Sequence, residues 1–305
     1  MQVFLTGATG YIGSAVLDAM IKGGHQVTAM ARDPEKVERL AAKGATPVIG
    51  ELGLPKTYES AVKAADAVVH CAMETSPRGV EKERQALDVM LSGLTQASRV
   101  DGKSRVFVYT SGVWVLGRTV KAADEDAPLD PPDHVKWRPA HEDLVLSAFS
   151  ASLRTVVVRP GVVYGGGRGI VSDLIKDALN GLIRVVGPGK NRWATVYTHD
   201  LAELYVRILE SPTAAGIIHA SDEADERVCD IADAIADHVS QRPDIRNMPM
   251  TEARKKLGTY ADALALDQKV RSPKARALGW APTQTGVIPS VARLVEEFRN
   301  AQRER

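Results

Sequence analysis

Short runs of apolar, often β-branched residues alternate with segments of helical period over the first half of the chain. Runs at 2–6, 26–31, 46–49, 66–71, 105–110 and 154–159 predict strands. Between them, 11–23, 34–43, 57–64, 80–100 and 137–150 predict helices. Near-continuous apolar strands alternating with helices are the mark of βαβ units around a buried parallel sheet. After Pro160 the regularity weakens, and glycine-rich loops at 165–169 and 187–189 flank a helix near 170–181. Further helices are predicted at 199–211, 228–239 and 287–303. In the last, Val287, Ile288, Val291, Leu294, Val295 and Phe298 recur on one face. The predicted fold is α/β, a Rossmann-like doubly wound parallel sheet with a smaller C-terminal lobe. The sheet domain is expected to cover 1–165, with 196–220 returning to it, and the lobe 166–195 and 221–305.

Composition narrows the class. With 305 residues, 44% of them hydrophobic and 25% charged, the chain has the mix of a folded globular protein. Lys plus Arg number 39 against 38 Asp plus Glu, a balance that gives no reason to expect nucleic acid or an acidic membrane as partner. No apolar run approaches the roughly 18 residues needed to span a bilayer. Two cysteines, Cys71 and Cys229, make neither a disulfide framework nor a metal site, so a reducing, cytoplasmic setting and no metal are expected.

The first predicted strand runs directly into Thr6-Gly7-Ala8-Thr9-Gly10-Tyr11-Ile12-Gly13. Gly7 permits a tight turn, Gly10 a close approach to pyrophosphate, and Gly13 close packing of helix on strand. Thr9, Tyr11 and Ile12 share that phosphate-binding turn. The end of the second strand selects the cofactor: a carboxylate there would receive the ribose hydroxyls of NAD(H), whereas an Arg suits the 2′-phosphate of NADP(H). Ala31 occupies the carboxylate position and Arg32 follows, which favours NADP(H) over NAD(H). Asp33, next along, precedes Pro34 as an N-cap would.

Together with this turn, Val106-Phe107-Val108-Tyr109-Thr110-Ser111-Gly112, Arg159-Pro160-Gly161-Val162-Val163-Tyr164-Gly165, Val196-Tyr197-Thr198-His199-Asp200-Leu201 and Leu278-Gly279-Trp280-Ala281-Pro282 make the chain resemble an extended short-chain dehydrogenase/reductase of the NAD-dependent epimerase/dehydratase group. The resemblance spans nearly the whole length. It implies a cofactor domain and a small C-terminal substrate lobe, with the nicotinamide between them. It further implies Glu51 and Leu52 near the adenine, Ala72 near the ribose, and Pro160, Gly161, Val162 and Val163 near the nicotinamide. Members of the group often form homodimers through their two long helices, here 80–100 and 137–150.

The usual Ser or Thr, Tyr and Lys of such enzymes are replaced. Trp137 stands at the Tyr position, His141 at the Lys position, and Gly112 where the Ser or Thr belongs, with Ser111 one residue earlier. An indole does not titrate, whereas an imidazole does near neutral pH. His141 is therefore the candidate proton donor or relay, with ribose anchoring or simple packing as alternatives, and Ser111 a candidate substrate contact. Trp114, Trp137 and Trp193 fall where the group places substrate contacts, with Arg168 nearby, although large aromatics also fill cores. The expected activity is hydride transfer between NADP(H) and a small apolar or aromatic carbonyl or alcohol compound. A sugar-nucleotide epimerase or dehydratase and a non-catalytic NADP(H) sensor are the alternatives.

Overall fold

A computed structural model describes residues 1–303. The chain falls into two units. The first is Met1–Ser111 with Trp137–Arg159 and Ala202–Ile218; the second is Gly112–Lys136, Pro160–Leu201 and His219–Arg305, whose last two residues lie outside those described.

In the first unit the chain runs β1 (Gln2–Thr6), α1 (Tyr11–Lys22), β2 (Gln26–Ala31), α2 (Pro34–Ala42), β3 (Thr46–Ile49), α3 (Glu59–Ala64), β4 (Ala67–His70), α4 (Gly79–Asp101), β5 (Arg105–Thr110), α5 (Arg138–Ser147) and β6 (Leu153–Pro160). With the strand Gly216–Ala220 they form a seven-stranded sheet in the order Gly216–Ala220, β6, β5, β4, β1, β2, β3. The pairings β1 with β2 and β4, β2 with β3, and β5 with β4 and β6 are all parallel. Val3, Phe4 and Leu5 of β1, Val68 and Val69 of β4, and Val156 to Val158 of β6 are buried, as strands covered on both faces must be. From β1 the chain first builds outward through β2 and β3, then crosses to β4 on the other side. That reversal opens a crevice beyond the C-terminal ends of β1 and β4.

The second unit is built around the helix Gly169–Leu179, the helix Val228–Asp237 and the final helix Val291–Arg303, which share a core containing Ile175, Ile231, Leu294 and Phe298. The helix predicted from 287 begins at Val291, after a short 3₁₀ turn at Ile288–Ser290. Glu226 receives the N–H groups of Val287 and Ile288 at 2.7 and 2.9 Å and so fixes that entry. Likewise the helix expected from 57 starts at Glu59, behind a 3₁₀ turn at Pro55–Thr57. Among the described residues no helix is long and apolar enough to cross a membrane, and no cluster of His, Cys, Asp and Glu is suited to hold a metal ion.

Candidate active site

The crevice at the end of β1 is a groove of about 360 Å³. Gly7 and Thr9 to Ile12 form one wall, Met30 to Arg32 the end beside β2, and Leu52 with Cys71 to Glu74 the far side. Gly7 has φ +76°, and a Cβ there would lie 2.6 Å from Ala72 N. A Cβ on Gly13 would lie 2.1 Å from the Gly7 carbonyl oxygen, so α1 can start this close to β1 only without a side chain. Gly10 N donates to Gly7 O at 2.8 Å, and no side chain caps α1. With no side-chain cap, the start of α1 points its N–H dipoles at the groove, the arrangement by which helices hold a dinucleotide pyrophosphate.

At the adenosine end, Arg32 lines the groove and Ala31 leaves no carboxylate at the tip of β2. Asp33 turns aside: its Oδ1 accepts Glu35 N at 3.0 Å and caps α2, with Pro34 in the first turn. Glu51 pairs with Lys82 Nζ at 3.1 Å, and the same ammonium holds Glu74 at 2.8 Å. The hydrogen bonds from Lys82 and Ser76 keep the Glu74 carboxyl below its usual range. Cys71, on the groove wall, accepts a 3.3 Å hydrogen bond from Thr110 Oγ1, and burial pushes its thiol up to about 11.

Trp137 precedes α5, and its ring meets the His141 ring edge-on at a centroid distance of 5.0 Å. His141 is buried, with Nδ1 3.9 Å from Glu83 Oε1. Ser111 is buried as well and donates its hydroxyl hydrogen to Glu142 Oε1. Glu142 in turn pairs with Arg159, whose Nη2 lies 2.5 Å from Oε2, both side chains being 2% exposed. The hydroxyl of Ser111 is therefore oriented by a buried ion pair and offers lone pairs, not its proton, to any further partner.

Arg138 is a residue that sequence reasoning missed. From the first turn of α5 its Nη1 donates to Thr110 O at 3.3 Å, its Nη2 reaches Met73 Sδ at 3.2 Å on the groove wall, and its guanidinium covers the Trp137 ring at 4.5 Å. The available signal was its place three residues before His141, on the same helix face. Glu83 was missed too. It sits on the apolar stripe of α4 with Ala86, Leu87 and Met90, where a carboxylate is out of pattern and so marks a partnered site.

In the second unit, Trp114 is half-buried and presents its ring to His134 and Tyr260 at 6.1 and 5.9 Å. Trp193 is 4% exposed, belongs to the core, and donates Nε1–H to Leu264 O at 2.9 Å. Arg168 is exposed at the start of the helix Gly169–Leu179. Pro160 and Val162 are buried and Val163 half-buried; Gly161 N donates to Ala220 O and Val162 N to Ala194 O, at 2.9 and 2.7 Å.

The model of the NAD dependent epimerase/dehydratase family matches residues 3–219. The chain belongs to this family. It is accordingly an NAD(P)-dependent enzyme with a Rossmann-like fold, as the glycine turn and the sheet order lead one to expect. An uncharacterized protein of Schizosaccharomyces pombe, C2A9.02, is 31% identical over 96% of this chain and 98% of its own. The 4-hydroxy-2-methyl-3-oxo-4-farnesyl-3,4-dihydroquinoline-1-oxide ketoreductase of Stigmatella aurantiaca is 27% identical over 83% of this chain and 78% of its own. Among solved structures, human epimerase family protein SDR39U1 with NADPH superposes with a TM-score of 0.78 at 21% identity, covering 97% of this chain and 99% of that one.

Proposed function

We propose that the protein is an NADP(H)-dependent reductase acting on a small carbonyl compound of apolar or aromatic character. The observation that carries this reading is Arg32 in the groove at the end of β2, with Ala31 in place of a ribose-binding carboxylate. The similarity to a ketoreductase named for an apolar ketone, and to a protein solved with NADPH, supports the same choice. Bound NADPH would supply the hydride. Arg32 would pair with the 2′-phosphate, and the N–H groups at the start of α1 would hold the pyrophosphate. Arg138, its head against Met73, would present a fixed positive charge toward the ribose or the oxygen that gains charge on reduction. His141, directly or through water, would return the proton.

Two substitutions test the assignment. Arg32→Ala should weaken NADPH about 10- to 100-fold, the size of one charge-assisted phosphate contact, and leave NADH binding nearly unchanged in fluorescence titrations. Tighter binding of NADH than NADPH by the parent protein would count against it. His141→Ala should lower turnover about 10²- to 10⁴-fold against a panel of aromatic and aliphatic aldehydes and ketones, with NADPH affinity preserved. Unchanged turnover removes His141 from the proton path.

A further inference from the structure

Several buried titratable groups of the first unit gather around one carboxylate. Glu83 is 2% exposed on the inward face of α4. Its Oε1 accepts the Tyr109 hydroxyl at 2.7 Å and faces His141 Nδ1 at 3.9 Å, while among the described residues Oε2 has no hydrogen bond. Nδ1 of His141 and Nε2 of His70 are buried without hydrogen bonds as well. Three unsatisfied polar atoms on side chains that feel one another's charge are a costly arrangement where packing alone would choose Leu or Met.

The groups facing Glu83 are His70 from β4, Tyr109 from β5, and Arg138 and His141 from α5, with Glu142 acting on Tyr109. Burial pushes Glu83 upward, but His141, His70, Arg138 and Tyr109 outweigh it and hold the carboxylate below its usual range. Burial likewise pushes His70 down to about 4, and its Nδ1 is paired with Thr6 Oγ1 at 2.7 Å, so His70 stays neutral and stands aside. Tyr109 is pushed well up by burial and by Glu83, and so keeps its proton. His141 is the other imidazole of the cluster, with Nδ1 3.9 Å from the Glu83 carboxylate.

We propose that Glu83 is the positioning residue for His141, its carboxylate keeping the Nδ1 side of the imidazole protonated so that proton exchange takes place at Nε2. The proposal rests on the reading of His141 as the proton-handling group. In the reductive direction, bound NADPH would supply the hydride, and the carbonyl oxygen would gain negative charge as it becomes an alkoxide. The imidazolium gives its Nε2 proton to that oxygen, leaving neutral imidazole with its Nδ1–H beside Glu83, and a solvent proton restores the cation. Glu83 neither gains nor loses a proton in the cycle.

The test reads the ring itself. In full-length protein labelled with ¹⁵N-histidine, the His141 signal is identified by its loss in His141→Ala. The neutral ring should then carry its proton on Nδ1. In Glu83→Gln, which keeps an acceptor for Tyr109 and removes the charge, the ring should bind its proton about tenfold more weakly. The His25 signal and the melting temperature should stay as in the parent. An identical His141 titration in parent and Gln variant overturns the proposal, as does a neutral ring protonated on Nε2. Should the Gln variant not fold, Tyr109→Phe removes the competing donor and should tighten proton binding at His141; no change overturns the proposal equally. Turnover of His141→Ala separates the two levels. A ring that responds to Glu83 in an enzyme indifferent to His141 rejects the proton assignment, and a required His141 that ignores Glu83 rejects the positioning role alone.

Discussion

Arg159→Ala is expected to destabilise the protein by about 3–5 kcal/mol, the usual cost of leaving one member of a buried ion pair unpaired. The guanidinium meets Glu142 through Nε at 3.1 and 3.2 Å and through Nη2 at 2.5 Å, and both side chains are 2% exposed. Without it the Glu142 carboxylate keeps, among the described residues, only Ser111 as a donor inside a buried site. For a chain of this size the loss corresponds to a fall in melting temperature of about 5–8 °C. Arg159→Met with Glu142→Leu should recover most of it, since removing both charges also removes the desolvation cost. Thermal melts of the single and double variants decide the matter, and an unchanged melting temperature in Arg159→Ala would sink the argument. The pair also orients Ser111, so the single variant should disturb turnover beyond its effect on stability.

Gly13→Val should reduce NADPH affinity by 100-fold or more, equivalent to about 3 kcal/mol. The added Cβ would sit 2.1 Å from the Gly7 carbonyl oxygen, a distance that neither backbone nor side chain can relieve without moving α1 off β1. The N–H groups at the start of α1 move with it, and they are the donors a pyrophosphate needs. Gly10→Ala offers a graded comparison, because its Cβ would meet the same oxygen at 3.0 Å and a shift of a few tenths of an ångström accommodates it. A smaller loss is expected there, with little change in melting. Calorimetric titration of both variants with NADPH checks the order; equal affinities for parent and Gly13→Val would show that the turn does not hold the cofactor.

Much of the first unit was legible in the sequence. Strands buried on both faces have no polar alternation to blur them, and each predicted strand from β1 to β6 lies within a residue of its observed ends. The glycine turn was legible for the same kind of reason, since its requirement is set by backbone sterics within eight residues. Asp33 could be read as a cap because Pro34 and Glu35 are its neighbours in sequence as well as in space.

The main helices of the second unit were legible too, but its strand pairings and the α5 network were not, because their determinants are pairings between distant segments. Asp244–Met248 pairs in parallel with Leu182–Val186, yet its residues are mostly exposed and polar, so nothing local marks it as a strand. Trp193 reads equally well as substrate contact or as core, and only the arrival of Leu264 opposite its indole N–H settles its packing. Ser111, His141 and Arg138 are neighbours or near-neighbours in motifs, but Glu142, Glu83 and Met73 decide what each side chain faces. Sequence by itself therefore determined where the chain turns, which strands are buried and where a dinucleotide phosphate would lie, all consequences of steric and periodic rules acting over a few residues. Tertiary structure alone decided which buried charge stands beside which titratable group, because a proton's affinity depends on neighbours that the sheet brings together from far along the chain.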